Sequence, residues 1–198
     1  NGWMSTTVGI TYNASPGGRY SLSYDDAKDF NGDGSRGTTL LYIPTDKELE
    51  DMNFVDNFDK QGNLIMSKEE SREAFRQWIL NDDYAKNHRG QFAERNSNLT
   101  KWEHEINLHV AQDIFYLKER GSKIQVTFDV INFANMLNKK WGANYYLPYN
   151  LTPVTVSGST NADGILVPEY TFKDQSSVLT KNDISSRWHC QVGVRLTF

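Results

Sequence analysis

Cysteine is nearly absent from this sequence: there is one thiol, Cys190, in 198 residues. A lone cysteine excludes an intramolecular disulfide framework. Its place on the apolar parity of an alternating segment makes it a small hydrophobe rather than a nucleophile. Long apolar runs are also missing. None approaches the roughly 20 residues that a helical membrane span needs, and the mean hydropathy is -0.63. No charge sign dominates, because 21 Lys and Arg stand against 25 Asp and Glu, interspersed, for a formal charge of -4. Without a basic stripe, a nucleic-acid partner has no electrostatic footprint. The chain carries no G-x-S-x-G, no H-E-x-x-H and no phosphate-binding glycine loop, so nothing marks it as an enzyme. No period of about 20 to 50 residues repeats, which removes solenoids and propellers. No initiator methionine or signal peptide opens the chain, and a strand pattern begins almost at once, so it reads as a piece of something longer.

What is present is alternation. In residues 183–198, Ile184, Trp188, Cys190, Val192, Val194, Leu196 and Phe198 share one parity, and Arg187, His189, Gln191, Arg195 and Thr197 take the other. A strand of period two puts these sets on opposite faces. Three more segments alternate in the same way: 3–14, 102–118 and 123–137. Each reaches the roughly 9 to 11 residues with which a tilted strand crosses a bilayer, and a transmembrane β-barrel needs only alternate residues to face lipid. The third segment changes parity at Ile131 and Phe133, which predicts irregular geometry near residues 132–135. The expected fold is therefore all-β with a helical insertion, its antiparallel strands forming part of a transmembrane barrel.

The connections are unequal. Residues 119–122 make a short polar turn between the second and third strands, whereas 15–101 and 138–182 are long. Short turns at one end and long loops at the other is the asymmetry of outer-membrane barrels, and connections this long should hold structure of their own. In the first, Tyr20, Leu22 and Tyr24 continue an extended alternating segment. Ser67 with Glu70 makes a capping box for a helix that ends near Asn81, and a helical turn is expected around 46–52. In the second, 154–156 and 165–172 predict a β-hairpin.

Candidate sites lie in these connections. Asp29, Asn31 and Asp33, followed by Gly34, match the opening of a calcium loop, but Leu40 stands where a bidentate Glu belongs. An Asx-rich turn is the competing reading. Trp141, Tyr145, Tyr146, Tyr149 and Tyr170 could stack on a sugar or peptide, pack the loop, or line the girdle where aromatics meet a membrane interface. His88, Arg89 and Gly90, with Glu94 and Arg95, are expected to tether the helix-bearing loop to the barrel rim through charge-assisted hydrogen bonds. By parity, His104 faces away from His109 and His189, so the three cannot converge on a zinc ion.

Gly17-Gly-Arg-Tyr20-Ser21, Asp29-Phe-Asn-Gly-Asp-Gly34, Leu41-Tyr42-Ile43-Pro44, Asn53-Phe54-Val55-Asp56, His88-Arg89-Gly90-Gln91, Ala93-Glu94-Arg95-Asn96, Val110-Ala111-Gln112-Asp113 and Val130-Ile131-Asn132-Phe133-Ala134-Asn135 follow one another in this order. In that order and spacing the chain resembles the carboxyl-terminal part of TonB-dependent outer-membrane receptors of Bacteroidetes, of the Oar-like type with carboxypeptidase-regulatory-like amino-terminal domains. The resemblance implies a plugged barrel of about 22 strands that imports a nutrient with energy from TonB, of which four strands would be about the last fifth. It also implies a location in the bacterial outer membrane. The implied partners are membrane lipid, the rest of the barrel, the plug, TonB indirectly and a nutrient ligand. A soluble β-domain that binds carbohydrate or peptide through loop aromatics is the alternative, because any sheet with one buried face alternates in this way. A metal-dependent hydrolase is a more distant one.

Overall fold

The computed structural model describes residues 3–26, 34–117, 122–147, 150–160, 162–163, 165–173 and 179–198. In chain order the elements are β1 (Met4–Ser15), β2 (Arg19–Tyr20), β3 (Leu22–Asp26), β4 (Tyr42–Ile43), α1 (Asp46–Asp51), β5 (Asn57–Phe58), β6 (Leu64–Met66) and α2 (Lys68–Asn81). A 3-10 turn (Ala85–Asn87), β7 (Gln91–Phe92), β8 (Asn98–Leu99), β9 (Glu103–Leu117), β10 (Ser122–Ile131) and α3 (Phe133–Leu137) follow. The last are β11 (Tyr145–Tyr146), β12 (Leu151–Thr160), β13 (Leu166–Phe172), β14 (Thr180–Lys181), α4 (Asp183–Ser186) and β15 (His189–Thr197). The chain is mostly β, in largely antiparallel sheets with a few helices, and among the described residues no closed barrel forms. It divides into two compact units: Asn1–Gly17, Thr100–Tyr146 and Thr180–Phe198 in one, Gly18–Leu99 and Leu147–Leu179 in the other.

The first unit is a four-stranded antiparallel sheet in the order β1-β9-β10-β15. Its register aligns side chains of one kind across all four strands. Val8 pairs with Val110, Val110 with Phe128, and Phe128 with Val192; one step along, Ile10, Leu108, Val130 and Cys190 form the next row. Opposite residues on one face of antiparallel strands lie about 5 Å apart, so these rows are continuous apolar ladders. The reverse face carries Gly9, His109, Asp129 and Gln191 in one row and Thr7, Ala111, Thr127 and Gly193 in another. Gly193 lets Thr127 approach closely, since a Cβ there would sit 2.6 Å from Thr127 Oγ1 and the hydroxyl would have to move. Because β9 runs opposite to both β1 and β10, the two long connections leave the sheet at one end, and the β9–β10 connection, residues 118–121, lies outside the described residues.

Two strands differ in length from the sequence reading. The third stops at Ile131 rather than continuing to residue 137, because Asn132 takes a left-handed conformation (φ 54°) and α3 follows. This is the irregularity that the parity change predicts, and its cause is hydrogen bonding. The Asn132 amide donates to the carbonyls of Gly142 (2.8 Å) and Ser186 (2.9 Å), and its backbone N–H donates to Asn107 Oδ1 (2.8 Å). Gly142 (φ 57°) must lack a side chain, since a Cβ would fall 2.0 Å from Asn132 Oδ1. The last strand starts at His189, not 183, because Asn182 caps the short α4 by accepting from the Ser185 N–H.

The second unit holds the hydrophobic core. Leu22, Leu41, Ile43, Leu49, Phe54, Phe75, Ile79, Val154 and Val156 are buried together. Serving as the scaffold, β12 pairs with β13 antiparallel and with β3 parallel. The helix α2 begins at the expected Ser67–Glu70 capping box and ends at Asn81, laying Phe75 and Ile79 into the core. Ser71 on its first turn is fully buried, and its hydroxyl accepts from the Phe172 N–H of β13. The expected helical turn near 46–52 and hairpin between 154–156 and 165–172 both form.

Replacing Asn132 by Ala removes both amide donors and forces a Cβ residue without local compensation into positive φ, at an expected cost of about 2–4 kcal/mol. Asn132→Gly should cost less, since only the hydrogen bonds are lost. Urea unfolding of the three proteins in detergent measures the order; equal stability of Asn132→Ala and the parent chain would contradict it.

Candidate functional site

Chemistry-bearing side chains concentrate in the second unit at the start of α1. Thr45 caps this helix: its hydroxyl accepts from the Glu48 N–H, while Glu48 Oε2 accepts from the Thr45 N–H and hydroxyl, each at 2.8 Å. The reciprocal box fixes the Glu48 carboxylate beside β4, where the Tyr42 hydroxyl donates to Oε1 at 2.8 Å. These bonds, the Thr45 backbone first, hold the Glu48 carboxyl below the usual range. On the neighbouring first-turn position, Arg89 grips Asp46 with both terminal nitrogens (2.8 and 3.1 Å) and donates from Nε to the Pro44 carbonyl. The His88-Arg89-Gly90 group fastens α1 within its own unit, with Gly90 N–H bonded to the Ile43 carbonyl at 2.7 Å.

Four rings line a cleft that the carboxylate also borders. Tyr42 and Phe92 meet edge to face with centroids 5.1 Å apart. Tyr24 and Tyr170 lie 6.3 Å apart at a tilt of 41°. Together with Glu48 and Pro168 they line a cleft of about 340 Å³, near the lower end for small-ligand sites. A second hollow of about 360 Å³ adjoins it, sharing Glu48, Met52, Pro168 and Tyr170 and adding Asp51 and Asn53. Burial pushes the Tyr24 phenol well up, with Tyr170 beside it adding to the effect. The hydrogen bond to Glu48 raises Tyr42, and burial raises Tyr170. At neutral pH the cleft thus holds three neutral phenols and one carboxylate.

The aromatic set chosen from the sequence is distributed. Tyr170 lines this cleft. Trp141 and Tyr145 line a different cavity, of about 450 Å³ in the sheet unit, with Trp102, Lys101 and Lys140; the Lys101 ammonium sits 5.3 Å from the Tyr145 ring centroid. Tyr146 is exposed and lines neither, and Tyr149 lies outside the described residues. Asp29, Asn31 and Asp33, the calcium candidates, also lie outside them. Their neighbour Asp25 pairs with Lys173 at 2.6 Å. His109 bonds Asp129 across the strands, and His104 meets the Tyr12 hydroxyl at 2.8 Å on the opposite face. Sequence reasoning missed Tyr24, Tyr42, Glu48 and Phe92 as site residues. The available signal was the spacing of Thr45 and Glu48, a second capping box three residues after Tyr42.

Comparison with protein-family models, characterised proteins and solved structures returns no match.

Asp46 and Glu48 both titrate below their ordinary values in the folded chain, Asp46 because of the Arg89 hydrogen bond. Groups shifted this way stabilise fully above the ordinary carboxylate range, and the gain is lost as pH falls through the lowered values. The unfolding midpoint of this unit should be flat from neutral pH to about 5 and fall below about 4. Glu48→Gln, which keeps the cap, should make the fall shallower; an unchanged acid limb contradicts the assignment.

Proposed function

We propose that this chain is the carboxyl-terminal wall segment of a TonB-dependent outer-membrane receptor, contributing four strands of the barrel and part of its extracellular ligand-capturing surface. One observation carries the reading. The apolar face of the long-strand sheet is in register over four strands and yet uncovered: Val8, Ile10, Val192 and Val194 are 62%, 72%, 65% and 69% exposed. Nor does any described strand pair with the outer edges of β1 and β15. In water a face and two edges of this kind promote aggregation, whereas in a barrel both are satisfied by lipid and by neighbouring strands.

Dimensions and chemistry agree with that setting. A strand of 12 residues such as β1 is about 40 Å long and, tilted by about 40°, covers roughly 30 Å of bilayer. Phe198 stands at one end of the aliphatic rows, and Tyr12, Trp102 and Trp188 at the other, as interfacial aromatics do. The reverse face is a polar network: Asp113 accepts from Lys123 (2.7 Å) and Gln125 (2.8 Å), and Asn107 donates to Glu105 (2.7 Å). In the proposed receptor this face borders the lumen and the plug. The end with the long connections faces outward, the aromatic cleft belongs to the captured nutrient's path, and TonB acts through other parts of the receptor. The likeness of the sequence words to Oar-like receptors supports the same reading. The alternative of a soluble carbohydrate-binding β-domain draws on the cleft but leaves the exposed ladders without a role.

Val192→Arg puts a charge in the middle of the lipid-facing rows and should cost about 2–4 kcal/mol of folding into bilayers. Gln191→Arg, one residue away on the other face, should cost little. Folding yields into lipid vesicles compare them. Equal effects, or a parent chain that is a compact monomer in water without detergent, would overturn the proposal.

A further inference from the structure

We propose that the cleft between Tyr24, Tyr42, Phe92 and Tyr170 binds a small quaternary ammonium compound of about the size of choline. This inference rests on the reading of the cleft as a ligand-capture site and names the class of ligand.

Charge and geometry select that class. Rings placed edge to face and at a tilt wall a pocket rather than forming the single flat platform on which a sugar ring stacks. Four aromatic rings lining one small cleft attract a cation, and the attraction strengthens with desolvation. Glu48 supplies a full negative charge at the wall, is in no ion pair, and no basic side chain lines the cleft among the described residues. Its oxygens already accept three hydrogen bonds, from Tyr42 and twice from Thr45. The carboxylate therefore offers charge more than further hydrogen bonding. A methylated ammonium, which has charge and no donor, matches that offer.

Size and the neighbouring hollow narrow the choice further. A cleft of about 340 Å³ takes a trimethylammonium head, and the tail can pass Tyr170 into the adjoining hollow, where Asp51 has no ion pair among the described residues. A hydroxyl can donate to Asp51. A carboxylate tail would be repelled by it, so choline should bind better than glycine betaine.

The test is isothermal titration calorimetry of the full chain in a detergent without a choline head group. Choline is expected to bind about tenfold more tightly than the alcohol in which a tert-butyl group replaces the trimethylammonium. It should also bind more tightly than glycine betaine. Phe92→Leu, at an exposed ring that the core does not need, and Glu48→Gln, which preserves the helix cap, should each weaken choline several-fold. Equal affinity for the neutral isostere, or choline binding that neither variant changes, overturns the inference. Vesicle insertion of the same protein separates the two proposals: a chain that inserts and shows no preference for charge refutes the ligand class alone. A chain that prefers choline but is a compact monomer in water without detergent upholds the ligand class and refutes the receptor.

Discussion

The cross-strand register of the β1-β9-β10-β15 sheet is the constraint on which everything else depends. Side chains alternate with a period of two, so a shift of one residue between any pair of strands would break every apolar ladder at once. As paired, Val8, Val110, Phe128 and Val192 fall on one side and His109, Asp129, Asp113 and Lys123 on the other. This separation gives the sheet one apolar face and one polar face. Among the described residues, Ala111, Val130 and Ala134 are the buried hydrophobics of this unit, whereas the second unit gathers twelve into one cluster.

The two units thus solve burial differently. In the unit built from the long connections, Leu22, Phe75, Ile79 and Val154 exclude water among themselves, and short capped helices and small sheets close around them. In the sheet unit, order is set by backbone ladders and by buried polar anchors. Asn132 is the clearest: one side chain at positive φ ends a strand and fastens Gly142 and Ser186 beside it. A connection that carries its own core can hold a cleft rigidly, which is what a ring-walled site needs. The capping box that starts α1 does both tasks, since Glu48 satisfies the helix end and presents its charge to the cleft.

Much of the scaffold was legible in the sequence because its signals are local and periodic. Alternation gave the four long strands, Ser67 with Glu70 gave the start of α2, and the parity change at Ile131 located the break that Asn132 makes. Strand ends were less legible. Residues 133–137 and 183–186 adjoin the alternating segments and carry apolar side chains such as Phe133, Leu137 and Ile184, but tertiary hydrogen bonds and a local cap turn them into helix. The site was least legible. Tyr24, Tyr42, Phe92 and Tyr170 come from β3, β4, β7 and β13, and short strand pairs such as Tyr42 with Phe92 leave no period to read. Trp141 and Tyr145 looked equivalent to Tyr170 by composition, and only the fold assigns them to another cavity.

Accessibility along β15 tests the central claim most directly. With Cys190 as the sole native thiol, single nitroxide labels can be placed in turn on residues 189–197 of the vesicle-reconstituted chain, in a background lacking that thiol for all but its own position. The account predicts collision rates with molecular oxygen that alternate with a period of two, high at 190, 192, 194 and 196 and low at 191, 193 and 195. A profile without that period, or even-numbered positions shielded from oxygen and open to a water-soluble relaxant, would contradict it.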